Sequence, residues 1–222
     1  MGYLPLYIDA SYLKVLVIGG GSIGTRRAIT FFEKGAMVTV LADRFTDELK
    51  NRQNDRLRLF ETTIKNINDI EDLIKRNDLI VIATNNEELN KTAYEISIKY
   101  NKLVNNAANA KQGNVVLPFR SNIWGEIEVS VTSLGASGIA ARRALEKIVA
   151  ILNNDIELKT LFTSMKRFKE YIKKNIKDAS LRYKLYFMVE NDKDFEKFVK
   201  EGNEEKAYER ALDIAKSYLN IN

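Results

Sequence analysis

Val15-Leu16-Val17-Ile18-Gly19-Gly20-Gly21-Ser22-Ile23-Gly24 is an apolar run that breaks into glycines and restarts with helical character. Four consecutive apolar residues read as a strand covered on both faces, the mark of a parallel sheet. Gly19, Gly21 and Gly24 form a G-x-G-x-x-G. Gly19 permits the sharp turn out of the strand, Gly21 lets a diphosphate come close to the backbone, and Gly24 lets the helix lie tightly on the strand. The free amides at Ser22 and Ile23, with the helix dipole behind them, attract phosphate oxygens. A glycine loop alone is a weak signal, so its surroundings decide its meaning.

Those surroundings alternate between strands and helices. Ser22 to Lys34 carries apolar residues at Ile23, Ala28, Ile29, Phe31 and Phe32, a helical stripe, and Gly35 stands where a C-terminal glycine belongs. Met37 to Leu41 reads as the second strand. Asp43 follows, roughly 20 residues past the last glycine, where a carboxylate accepts the adenosine ribose hydroxyls and disfavours a 2′-phosphate. The neighbouring Arg44 could instead hold that phosphate, and on balance the pair leans to NAD. Leu57 to Phe60 is a weaker strand, Asp69 to Lys75 a short helix, Leu79 to Ala83 a fully apolar strand, Glu87 to Tyr100 a helix, and Leu103-Val104 a brief strand. The order implies a doubly wound α/β sheet of Rossmann type. Thr84 and Asn85, at the carboxyl end of the fourth strand, are a second expected cofactor contact. The plainer reading is an Asn-rich start of a helix.

Beyond residue 110 the pattern changes. Val115 to Leu117 and Glu126 to Val131 read as strands, with Arg120-Ser121-Asn122 in the loop between them, and a long helix runs from Ser137 to about Leu152. Helices alone follow. Phe162, Met165, Phe168 and Ile172, then Leu181, Leu185 and Met188, stand at helical spacing and read as core. Boundaries fall near 113 and 150, giving segments 1–113, 114–150 and 151–222. The chain holds 222 residues with no Cys and no His, which removes disulfides, thiolate chemistry, imidazole ligands and the usual neutral-pH base. Any acid–base step must use a carboxylate, Lys or Tyr. The net charge of +5 comes from dispersed lysines without a dense basic block, which speaks against nucleic acid and suits an acidic small molecule. No apolar run reaches the ~18 residues of a membrane span. The first residues lack an export signal, so a cytoplasmic protein is expected.

Several ordered segments resemble the precorrin-2 dehydrogenase / sirohydrochlorin ferrochelatase family, the N-terminal part of siroheme synthases. Leu4-Pro5-Leu6-Tyr7 ahead of the glycine run looks like its start. Ala83-Thr84-Asn85-Asn86-Glu87-Glu88-Leu89-Asn90 matches its Ala-Thr-x-x-x-x-x-Asn, and Val104 to Asn109 is similar to its Asn-Val-Val-Asp. Leu117-Pro118, Val129 to Ser137, Ala141-Arg142 and Arg182 fall on later features. The resemblance spans essentially the whole chain. It implies a Rossmann domain, a small α+β dimerisation region, a helical C-terminal domain and a homodimer. It also implies NAD-dependent conversion of precorrin-2 to sirohydrochlorin. Arg120 and Arg142, with Lys111 and Arg143, become candidate partners for substrate carboxylates, and Asn109 and Ser133 fall on active-site positions. One departure stands out: the family's aspartate, associated with both dehydrogenation and chelation, is Asn109 here. An amide neither takes a proton nor binds a cation as a carboxylate does, so dehydrogenation without ferrochelatase activity is expected. The alternatives are a bifunctional enzyme, a nucleotide-sensing module without catalysis, and an NADP-dependent reductase of another substrate.

Overall fold

The computed structural model describes residues 2–62, 67–109 and 111–221. The chain divides into two compact units, Met1–Pro118 with Thr132–Gly138, and Phe119–Val131 with Ile139–Asn222.

The first unit is the expected parallel sheet. Its elements run β1 (Lys14–Ile18), α1 (Ser22–Glu33), β2 (Met37–Ala42), α2 (Asp47–Arg52), β3 (Leu57–Glu61), α3 (Ile67–Arg76), β4 (Leu79–Ile82), α4 (Glu87–Lys99) and β5 (Leu103–Asn106). The strand order is β3-β2-β1-β4-β5, all parallel. β1 and β4 are central and buried on both faces, which is why their sequences do not alternate. One face packs Val15, Val17, Val38, Val40 and Val81 against Ala28, Ile29 and Phe31 of α1 and Leu49 of α2. The other packs Leu16, Ile18, Ile80 and Ile82 against Ile70 and Ile74 of α3 and Ala93 and Ile96 of α4. Gly35 ends α1 with φ +96°, as its position predicts.

Two expectations for residues 115–122 fail. Residues 115–117 form no strand. Asn114 and Val115 both donate their amides to the Val104 carbonyl at 3.0 Å, Asn114 Oδ1 accepts the Val104 amide at 2.6 Å, and Asn105 Nδ2 donates to the Val115 carbonyl at 2.9 Å, so a shared carbonyl and two asparagine side chains, rather than a ladder, hold the segment. The residues placed in a loop, Arg120-Ser121-Asn122, lie instead inside β6 (Phe119–Ile123).

In the second unit, β6 pairs antiparallel with β7 (Ile127–Val131) through the three-residue connection Trp124 to Glu126, in which Trp124 and Gly125 both have positive φ, 50° and 85°. Five helices follow: α5 (Gly138–Asn153), α6 (Ile156–Asn175), α7 (Ala179–Glu190), α8 (Lys193–Lys200) and α9 (Glu204–Ile221). Asp155, Asp178 and Asp192 cap α6, α7 and α8 by accepting first-turn amides. Ala207, Ala211 and Ala215 are fully buried at a spacing of four, so α9 approaches its neighbours closely around Phe168, Ile172, Leu185 and Phe195. Met188, expected in the core, is 37% exposed, and Val189 takes the inward position. Among the described residues no helix is long and apolar enough to cross a membrane.

Phe168 is fully buried and meets Tyr186 edge-on at 6.1 Å. Phe168→Ala is expected to cost about 3–5 kcal/mol in the helical unit, read as a lower denaturant midpoint for the helical signal.

Candidate dinucleotide site

The glycine turn joins β1 to α1 at the carboxyl edge of the sheet. Gly19 has φ +120° and donates its amide to the Leu41 carbonyl at 2.9 Å. A methyl group on it would lie 2.2 Å from the Ala83 carbonyl oxygen. On Gly20 a methyl would lie 2.1 Å from the Arg44 carbonyl oxygen, and on Gly24 it would lie 1.9 Å from the Gly19 carbonyl oxygen. The turn is therefore wedged between the ends of β4 and β2 by backbone on both sides.

Gly21 differs from the other three. Its φ of −74° suits any residue, and nothing lies within 4 Å of where a side chain would begin. The fold does not require glycine there; a close ligand would. Gly21 also precedes the first turn of α1, which has no side-chain cap, so the amides at Ser22 and Ile23 face the same open space with the helix dipole behind them. This bare, methyl-free cradle fits a diphosphate.

The flanking loops are tied to the turn. Thr25 is buried; its hydroxyl meets that of Thr46 at 2.9 Å and lies 3.4 Å from the Gly20 carbonyl. Thr46 caps α2, so the hydroxyl pair links the glycine turn to the loop holding Asp43 and Arg44. Both of those side chains are well exposed, and their mutual contact is a loose 4.0 Å. Such a pair contributes little by itself and leaves both groups available.

At the end of β4, the Thr84 hydroxyl donates to Asn90 Oδ1 at 2.6 Å, while Asn90 Nδ2 donates back to the Thr84 carbonyl at 2.9 Å. Asn86 caps α4 by accepting the Leu89 amide at 3.0 Å. The helix-start reading is thus realised locally, and Asn85 remains exposed beside it. Beyond β5, buried Asn106 accepts the amides of Ala108 and Asn109 at 3.1 and 2.9 Å. Asn109 is exposed, and its Oδ1 accepts the Lys111 amide at 3.1 Å, leaving Nδ2 as its outward donor. Ser133 accepts the Ser137 amide at 2.8 Å, which keeps its hydroxyl proton free for another acceptor.

The glycine turn, Asp43, Arg44, Thr84, Asn85 and Asn109 thus all belong to the carboxyl edge of one sheet. Arg120 and Arg142 belong to the second unit. Arg120 pairs with Glu128 at 3.0 Å, and Arg142 with Glu146 one turn on at 3.8 Å. Thr25 and Thr46 carry no role legible in the sequence, and Gly20 and Asn90 stand out there only as members of their motifs. An apolar-to-glycine transition gives no sign of which hydroxyls will meet across a loop. Among the described residues, no group of three or more acidic side chains is placed to hold a metal.

Comparison with known proteins agrees with this geometry. Residues 6–119, over half of the chain, match the family described as "Putative NAD(P)-binding". The precorrin-2 dehydrogenase of Bacillus subtilis is 31% identical over 152 residues, covering 68% of this chain and 90% of that protein. The siroheme synthase of Psychromonas ingrahamii is 27% identical over 208 residues, covering 93% of this chain but 42% of that longer protein. The solved structure of SirC, a precorrin-2 dehydrogenase, superposes with a TM-score of 0.72 at 23% identity, covering 95% of this chain and all of that one. At that identity the likeness establishes the fold, helical unit included.

Proposed function

The chain belongs to the precorrin-2 dehydrogenase family, and from that premise we propose that it oxidises precorrin-2 to sirohydrochlorin, with NAD taking the hydride, on the way to siroheme. The observation that carries this reading is the open cradle at Gly21, where a methyl group would meet nothing of the protein itself. NAD, when bound, supplies the hydride acceptor. The chain's own residues bind and orient. Amides of the first turn of α1 hold the diphosphate, and the Asp43 carboxylate accepts the adenosine ribose hydroxyls. The Thr84–Asn90 bonds fix the β4–α4 turn against Gly19. Asn109 directs its Nδ2 at a substrate oxygen, and the Ser133 hydroxyl donates a second bond. Hydride loss leaves a conjugated cation with an acidic N–H, so water suffices as the proton acceptor and positioning supplies most of the rate. Arg120 and Arg142 would exchange their glutamates for carboxylates of the acidic substrate.

Asn109 argues for dehydrogenation alone, with metal insertion left to another protein. The segment 114–150 forms the dimerisation region of a cytoplasmic homodimer, and no nucleic acid or membrane takes part. The assay is the near-ultraviolet absorbance of reduced nicotinamide when the purified protein meets precorrin-2 and NAD. Turnover supports the reading, and its absence with both NAD and NADP would end it. Adding ferrous iron tests the second half, since metal insertion above the uncatalysed rate would show a chelatase. Asp43→Ser should raise the Kd for NAD about tenfold by removing a charged acceptor. It should also narrow the preference over NADP, as titration calorimetry with both dinucleotides would record.

A further inference from the structure

Arg27 stands on α1, three residues past Gly24, and has no role in the proposed reaction as described. Gly24 and Phe31 share its side of the helix and are buried. The opposite flank carries Thr25, which reaches Thr46 beside β2, so Arg27 leans over β4. Helical side chains tilt toward the N-terminus, which carries its guanidinium up toward the carboxyl edge. The row of the sheet at that edge is Val17–Val81–Asn105. Val17 and Val81 belong to the α1 face, and alternation puts Asn105 on it too.

Two polar atoms on this face lack partners. Arg27 Nε is buried with no hydrogen bond, and so is Asn105 Oδ1, on a residue only 6% exposed. Among the described residues no carboxylate faces Arg27. Burial and the neighbouring Arg26 both pull its pKa below the ordinary value. A half-buried guanidinium without a counter-ion is costly. A fold would shed such a charge unless something anionic arrives.

We propose that Arg27 is an oxyanion-binding residue on the β4–β5 side of the dinucleotide site, holding a carboxylate of the acidic substrate. The inference rests on the proposed reaction for the identity of that carboxylate. The diphosphate is served by the first-turn amides on the other side of Gly24, and the adenosine half by Asp43 beyond β2. The β4 flank, by Thr84 and Asn85, takes the nicotinamide half and with it the substrate, whose reacting carbon must meet the nicotinamide there.

Arg27→Met keeps the aliphatic stem and removes the charge; Arg27→Lys keeps a charge without the fork. In the full-length protein, Arg27→Met should raise the KM for precorrin-2 about tenfold or more and leave the Kd for NAD within about twofold. Its thermal midpoint should be unchanged or higher, since a desolvated charge is gone. Arg27→Lys should recover part of the KM. A parallel loss of NAD affinity would assign the guanidinium to the diphosphate and overturn the proposal, as would an unchanged KM. Uroporphyrin, an acidic tetrapyrrole that needs no turnover, separates this from failure of the parent reading. If the wild type makes no reduced nicotinamide yet binds uroporphyrin more tightly than Arg27→Met, the reaction is wrong and the oxyanion role stands. Equal binding by both proteins refutes the role.

Discussion

Gly21→Ala is expected to leave the fold intact and to remove tight NAD binding. The backbone at Gly21 has φ −74° and no protein atom within 4 Å of the added methyl. Alanine also restricts the unfolded chain, so stability should hold or rise by about 0.4–1 kcal/mol. The methyl enters the space a diphosphate must fill to reach the amides at Ser22 and Ile23. Overpacking of that kind costs about 1–3 kcal/mol, a weakening of roughly tenfold to a hundredfold in Kd. Titration calorimetry beside thermal denaturation separates the two effects. A variant that melts early would mean Gly21 serves the fold. A variant that binds NAD normally would mean the diphosphate lies elsewhere, and the proposed reaction would lose its main support.

The parts of the fold legible from sequence are those that a single physical constraint dictates. β1 past Lys14 and all of β4 are buried on both faces, so those residues are uniformly apolar, and Gly19 and Gly24 can be read because backbone crowds them. Where several weak constraints compete, the reading fails. α2 has six residues and a single buried one, Leu49, so it carries no apolar period, although Thr46 with Asp47 and Glu48 is a readable helix start. Val115 to Leu117 looks like a strand because it is apolar, but the edge of β5 is occupied by bonds from Asn105 and Asn114 that block a ladder. Met188 and Val189 are both apolar, and only the packing of α7 decides which turns inward.

The site divides in the same way. Gly19, Gly21, Gly24 and Asp43 follow from what a dinucleotide demands at fixed spacing. Thr25 and Thr46 lie 21 residues apart, and Arg27 acquires meaning only when its neighbours are seen to include no acid. Asn109 shows both sides of the matter. Its amide identity is plain in the sequence, but its polarity is set by the Lys111 amide, which occupies Oδ1 and turns the donor outward. Arg182, one of the positions that carry the family likeness, closes the carboxyl end of α6 by donating to the carbonyls of Ile176 and Lys177 at 2.7 and 2.8 Å. That is a structural task, and it accounts for an arginine there without any ligand.

Gly19→Ala should do the reverse of Gly21→Ala, breaking the fold of the first unit and binding with it. At φ +120° an L-residue is strained wherever it stands. The new methyl would also press on the Ala83 carbonyl at 2.2 Å and its carbon at 2.7 Å, both backbone atoms of the central region. They cannot swing aside as a flexible side chain would. Relief requires β1 and β4 to part, yet the Ala83 amide is held by the Ile18 carbonyl at 2.8 Å and the Gly19 amide by that of Leu41 at 2.9 Å. Strain and overpacking together point to a loss of about 3 kcal/mol or more, a large part of the ~5–15 kcal/mol that holds an ordinary domain. Urea denaturation followed through the sheet should show a clearly lowered midpoint, with NAD raising it far less than in the wild type. A variant with wild-type stability would require the turn to adopt another conformation. The wedge between β2 and β4, on which the placement of both Asp43 and Thr84 depends, would then be lost as an explanation.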